Sequence, residues 1–335
     1  ATMMGIGGAI CSGVFVTLGY AASLAGTALI AAMVLCGIIN LFTMLSYAEL
    51  GAALPRAGGE YTFVKAAFGG FISFATGWFE WISNIFYAAF SAVGFGNLMY
   101  YVFPAFDASI IAIVAITIFT IINIKGIMAT GRTQTILVVV LLGILIVFVM
   151  AGLLNTRAVV PMLSAPRGIM GVLRASAYIF VIYLGGEVIA AAQAEVKNPD
   201  KNIPRAILLS TLSLLLIYTF IAYVVFGIVT PESLTAQISP LAYVARQFMG
   251  NLGMGMITVA GFIAALTSVN TSILAQSRVA YAMAEDGFFP NWCFSLHRNF
   301  CTPHLAILLG SIFAATIAAT KAVNFVTYST DFGFM

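Results

Sequence analysis

The chain has 335 residues, 62% of them hydrophobic and only 7% charged, with a net charge of +3 and a mean hydropathy of +1.07. Soluble domains carry about a quarter charged residues, so this composition excludes a globular protein that keeps its surface in water. The few charges stand scattered at the ends of apolar runs and give no basis for nucleic-acid binding, and four cysteines without a secretory pattern do not suggest a disulfide framework.

In chain order the apolar runs fall at about 3–24, 28–50, 72–102, 108–124, 133–154, 172–194, 206–229, 252–276 and 304–320, with a tenth beginning near the end. Most are long enough for a hydrocarbon core of about 30 Å, and they do not alternate as strands of a membrane barrel would. The reading is an all-α polytopic membrane protein. The third run is too long to stand upright, so it should tilt or emerge. The opening "ATMMGIGG" has no basic region and does not read as a signal peptide. Because the chain opens and closes inside apolar segments, it reads as a fragment cut at both ends.

Lysine and arginine set the expected orientation. With the N-terminus in the cytoplasm, the inner loops receive Arg56, Lys65, Lys125, Arg132, Lys197, Lys201, Arg205, Arg278 and Arg298. The outer ones receive Arg157, Arg167, Arg174, Arg246 and Lys321. The excess supports N-terminus-in by the positive-inside rule. Turn signals separate the runs: "LPRAGGEY" (Leu54–Tyr61) closes the second, and "KNPDKNIPR" (Lys197–Arg205) closes the sixth, with Asn202 and Pro204 expected to start the seventh.

Two runs carry weak points. The first is interrupted by Cys11-Ser12-Gly13 after Gly5, Gly7 and Gly8, and the sixth, five runs later, by Gly185-Gly186. Interrupted segments in corresponding halves point to a transporter site. An unwound stretch frees backbone N–H and C=O groups that hydrocarbon cannot satisfy. The N-terminus of a half-helix attracts an anion such as a carboxylate, and freed carbonyls suit an ammonium group. The competing reading is close helix packing, in which glycine is common. On the glycines alone both stay open.

The loops carry more. "SYAELGAALPRAGGEYTFVKAAFG" (Ser46–Gly69), "EVIAAAQAEVKNPDKNIPRAI" (Glu187–Ile207), "SRVAYAMAEDGFFP" (Ser277–Pro290) and "CSGVF" (Cys11–Phe15) stand in the order found in one family. The chain resembles the amino acid–polyamine–organocation (APC) permeases along its whole length. The resemblance implies a LeuT-like fold, five helices repeated in inverted orientation with helices one and six broken at mid-membrane. Repeat one would cover about 1–154 and repeat two about 172–335, the latter incomplete because the chain would stop in helix ten.

Carried over residue by residue, the resemblance implies that the N–H groups of Ser12, Gly13 and Val14 receive a substrate carboxylate. The carbonyls of Ile10, Phe180 and Tyr183 would receive its amino group, with Gly185 and Gly186 allowing the second break. "WISN" resembles the third helix of arginine–agmatine-type exchangers, which places Trp81 and Asn84 at the cavity; Asn84 is equally readable as an interhelical hydrogen bond. Two departures stand out. Cys11 replaces a glycine of the first break, and Gly186 replaces a bulky apolar residue, which would enlarge the cavity.

Ionisable residues inside spans are candidates for function. Glu187, one residue past the second break, is the candidate proton carrier, or else a cap on freed N–H groups. Glu80 reads as a member of a structural ion pair. Thr267 and Ser268 could join helix-one carbonyls in a candidate sodium site, although such side chains usually bond back to their own helix. Cys293, His297, Cys301 and His304 fit no common zinc spacing; no metal and no cofactor is assigned.

The expected function is secondary transport of amino acids or related amines by alternating access, proton-coupled or by exchange, in a prokaryotic plasma membrane. An ion channel would need a ring of charges or a repeated carbonyl filter, and the sequence has neither. An enzyme would need a paired nucleophile and base. A receptor-like relative that binds without transporting has the same sequence signature.

Overall fold

The computed structural model describes residues 1–11, 13–156, 164–237 and 239–320, Val16 and Tyr101 by their backbone alone. The described residues form helices: α1 (Thr2–Ala9), α2 (Gly13–Ala25), α3 (Leu29–Ala53), α4 (Gly59–Phe68), α5 (Gly70–Val102), α6 (Ala108–Ile124) and α7 (Ile127–Asn155). There follow α8 (Gly168–Ile179), α9 (Glu187–Ala191), α10 (Pro199–Ile228), α11 (Pro231–Thr235), α12 (Pro240–Glu285) and α13 (His304–Ala319).

Among the described residues, six helical segments are long and apolar enough to cross a bilayer: Thr17–Ala53, Gly70–Tyr100, Ile127–Asn155, Gly168–Ala191, Pro199–Ile228 and Pro240–Glu285. Phe71, Met128, Leu154 and Ile169 each expose more than three-quarters of their surface, as side chains facing lipid do. The chain is an integral, multi-pass membrane protein. Nine spans were expected. The difference lies partly in α6 and α13, of 17 and 16 residues, each about 25 Å long and short of a 30 Å core. It lies also at Gly26, whose φ of +58° turns the chain from α2 into α3 within one continuous segment. The expected tenth span and end inside helix ten, and with them Arg157 and Lys321, lie outside the described residues.

Two boundaries moved for clear reasons. α10 starts at Pro199 rather than near Asn202, because proline fits the first helical position, where its missing N–H costs nothing; Pro204 then sits inside the helix. α12 extends well beyond the expected 252–276 on both sides, and is interrupted at Gly250, with φ 65° and ψ −155°.

The packing joins elements five spans apart. α3 lies along α10, and α5 along α12, while α1 touches α7, α10 and α12. One core surrounds the two weak points and includes Ile10, Phe15, Ile182, Tyr183 and Tyr218. A second, built from α5, α6, α12 and α13, includes Trp81, Ile85, Val269 and Ile307.

Candidate functional site at two helix breaks

α1 ends where Ile10 leaves the helical region (φ −73°, ψ 82°), its N–H still bonded to the Ile6 carbonyl at 2.9 Å. α2 begins at Gly13, whose N–H donates to Cys11 Sγ at 3.2 Å. Cys11 therefore serves as a cap, a weak acceptor for one of the orphan donors that every helix start exposes. Ser12 lies outside the described residues. In the sixth segment, α8 tightens into a 3-10 turn at Phe180–Tyr183, Leu184 is extended, and Gly185 takes a φ of +127° before α9 opens at Glu187.

The two breaks touch. A Cβ added to Gly185 would stand 2.2 Å from the Ala9 nitrogen and 2.3 Å from the Gly8 carbonyl carbon; one added to Gly8 would stand 2.9 Å from the Gly185 oxygen. Backbone meets backbone with no room for a side chain. The freed groups find partners nearby. Gly185 N–H donates to Glu187 Oε2 at 2.7 Å, and Tyr87 Oη donates to the Gly8 carbonyl at 2.9 Å. Tyr218 Oη donates to the Ala9 carbonyl at 3.2 Å, and Ser268 Oγ to those of Gly8 and Gly7 at 3.2 and 3.4 Å. Among the described residues, nothing donates to the Ile10 carbonyl.

Ile10, Gly13, Val14, Tyr183, Gly185, Gly186 and Glu187 are all buried at or beside this contact, with Phe180 half-buried at its edge. Tyr183 Oη donates to the Met33 carbonyl at 2.9 Å. The others lie differently. Trp81 belongs to the second core, where its indole N–H donates to Gln276 Oε1 at 3.1 Å and its ring packs on Phe289. Asn84 donates back to the Glu80 carbonyl of its own helix, 2.9 Å away. Thr267 also turns back, to the Ala264 carbonyl at 2.8 Å, while Ser268 reaches across to α1. The room expected from glycine at 186 is filled: its Cβ position lies 2.6 Å from Met44 Sδ of α3.

Glu80 is not ion-paired among the described residues. It accepts from Tyr61 N–H at 3.3 Å and has the Glu60 carboxyl as its neighbour, with α4 lying so close on α5 that a Cβ added to Gly59 would stand 2.9 Å from Glu80 Oε1. Sequence reasoning also missed Tyr87, Tyr218 and Met44. The tyrosines gave a usable signal, since a buried phenol needs a hydrogen-bond partner; nothing in the sequence tells which carbonyl it takes.

At one end of the bundle the loop after α3 is fastened to its neighbours. Gln193 Nε2 donates to the Leu54 and Arg56 carbonyls at 2.7 Å each, and buried Arg278 pairs through Nε with Glu195 at 2.9 Å. Asp286 pairs with Lys65 and accepts from Tyr61. Partial burial pulls the Asp286 carboxyl up, but the Lys65 ammonium and Tyr61 hydroxyl, with Arg56, outweigh it and hold it below the usual carboxylate range. Glu195 borders a cavity of about 540 Å³ that reaches Met4 and Ile189, and Ala194 one of about 1030 Å³ beside Tyr61 and Tyr281.

The sequence is similar to those of known membrane transport proteins. A family model described as amino acid permease matches residues 1–335. An uncharacterized protein of Methanocaldococcus jannaschii is 32% identical over 98% of this chain and 79% of its own length. The branched-chain amino acid permease BcaP of Bacillus subtilis is 27% identical over 98% of the chain and 76% of its own. The methylthioribose transporter of the same organism is 28% identical over 95% and 73%.

Proposed function

The chain belongs to the amino acid permease family, and from that premise we propose that it carries an amino acid or related amine across a prokaryotic plasma membrane by alternating access. It is a transporter of amino acids or related compounds rather than an enzyme. The observation that carries the reading is the contact of two broken helices at Gly8 and Gly185, buried in an apolar surround with main-chain groups out of helical register. A zwitterion offers a carboxylate and an ammonium, and the breaks supply N–H groups from Gly13 and Val14 (with Ser12) and carbonyls from Ile10, Phe180 and Tyr183. The Gly13 N–H must first leave Cys11 Sγ, a weak acceptor that a carboxylate outcompetes.

The pairing of α3 with α10, of α5 with α12, and of the two breaks with each other supports an inverted five-helix repeat of the LeuT-like kind. Repeat one covers about 1–154 and repeat two starts near 172, with the N-terminus on the cytoplasmic side. Coupling is to a proton or to exchange of a second amine. Glu187 is the proposed proton carrier: it is 4% exposed, and its carboxylate holds the Gly185 N–H at the break itself.

Reconstitution in proteoliposomes tests this. Uptake of labelled amino acids should saturate and should be accelerated by unlabelled amino acid inside. Non-saturating current would make the protein a channel, and saturable binding without flux a receptor-like relative.

A further inference from the structure

The two poles of the break in the first segment are filled unequally. Its acceptor side is open: Ile10 is fully buried, and its carbonyl takes no donor among the described residues. Its donor side is already occupied by the chain itself. Gly13 N–H donates to Cys11 Sγ at 3.2 Å, and the Val14 N–H stands beside the same sulfur. Cys11 is fully buried, and its sulfur lies so close over the start of α2 that a Cβ on Gly13 would stand 2.8 Å from it.

Tyr87 sets how the thiol is turned. Its hydroxyl is next to Cys11 Sγ, and its one hydrogen is committed to the Gly8 carbonyl at 2.9 Å. The hydroxyl oxygen therefore offers a lone pair to the thiol hydrogen, which leaves the lone pairs of the sulfur to face the N–H groups of α2. Such buried donors govern selectivity. A pocket built to bind a polar group rejects an analogue lacking it by about 10⁴-fold, because its donors are left without a partner. At this break the sulfur is that partner.

We propose that Cys11 is a specificity-determining residue: its sulfur stands in for a carboxylate at the break, so that the carrier takes amines that have no carboxylate as well as amino acids. The cargo class is defined by its ammonium group, which the open Ile10 carbonyl receives. An amino acid displaces the sulfur, a weak acceptor, and its carboxylate takes over the N–H groups. An amine leaves the Gly13–Cys11 bond in place and strands nothing. This deepens the transport reading and rests on it.

The test compares two dissociation constants. Detergent-solubilised protein is screened against the twenty amino acids by melting shift, and the tightest binder is set against the amine that its decarboxylation gives (3-methylbutylamine for leucine). In the wild type the amine should bind within about a hundredfold of the amino acid. Cys11→Ala strands the Gly13 donor whenever the amine is bound, and should widen that ratio at least about tenfold, mainly by weakening the amine. Cys11→Ser restores an acceptor and should return the ratio to the wild-type value. A cysteine that only fills space predicts that alanine shifts both constants together and leaves the ratio unchanged. That result, a serine variant no different from alanine, or a wild-type ratio beyond about a hundredfold would each overturn the proposal; the last needs no variant to fold. Labelled uptake in proteoliposomes separates the proposal from its premise: binding of both ligands without flux overturns the transport reading, while the ratio still decides the role of Cys11.

Discussion

At Gly185 two separate constraints exclude a side chain: its φ of +127° lies where L-residues are strained, and a Cβ would collide with main-chain atoms of Gly8 and Ala9. The strain alone costs about 1–3 kcal/mol, and backbone atoms cannot swing aside as a flexible side chain would. Gly185→Ala should therefore separate the breaks and abolish uptake, with a clear drop in melting temperature; a transporting alanine variant would show that the contact is dispensable. Gly186 differs, since only the end of Met44 opposes it. Glu187 is constrained by what it holds. Glu187→Gln keeps an acceptor for the Gly185 N–H but cannot carry a proton, so uptake should lose its pH dependence while substrate binding stays measurable by thermal shift. Unchanged pH dependence would remove Glu187 from coupling and leave it as a cap.

Among elements, α4 and the end of α12 are joined by the Lys65–Asp286 pair and the Tyr61 hydroxyl. A carboxyl held below its ordinary range stabilises the fold at any pH above its unfolded value, near 3.9, and that contribution disappears as pH falls from there through the folded value. Asp286→Asn should thus lower the melting temperature at neutral pH, with the gap to wild type closing below about pH 4. The pair is solvent-accessible, so the gap should correspond to no more than about 1 kcal/mol. A gap unchanged at acid pH would mean the carboxylate is not what joins the elements. Arg278 is another matter, buried against Glu195 at the turn between the two cavities; removing either partner would strand the other.

For the whole molecule, composition alone gave the membrane class, because apolar length and the lack of charge are local properties. The positions of both breaks were also legible, since glycine pairs in apolar runs are physically conspicuous. What joins them was not. The Gly8–Gly185 contact spans 177 residues of sequence (185 − 8), and no local pattern announces it. The placements of Trp81 and Asn84 depended on which face of a 33-residue helix points inward, and the structure directs Trp81 to Gln276 instead. Glu80 looked like half of an ion pair because a buried acid invites a cation, whereas the fold brings it another acid, Glu60. The fate of Gly186 turned on Met44, a methionine of α3 that meets it directly.

The touching of the breaks has a consequence for how such a protein can change over generations. Gly8 and Gly185 meet through main-chain atoms, which every amino acid shares, so the contact can be lost by mutation but not adjusted by it. Variation that alters the cargo must accumulate in the surrounding walls, where alleles can differ by degrees. If the breaks hold the cargo as proposed, grip is inherited whole and preference piecemeal.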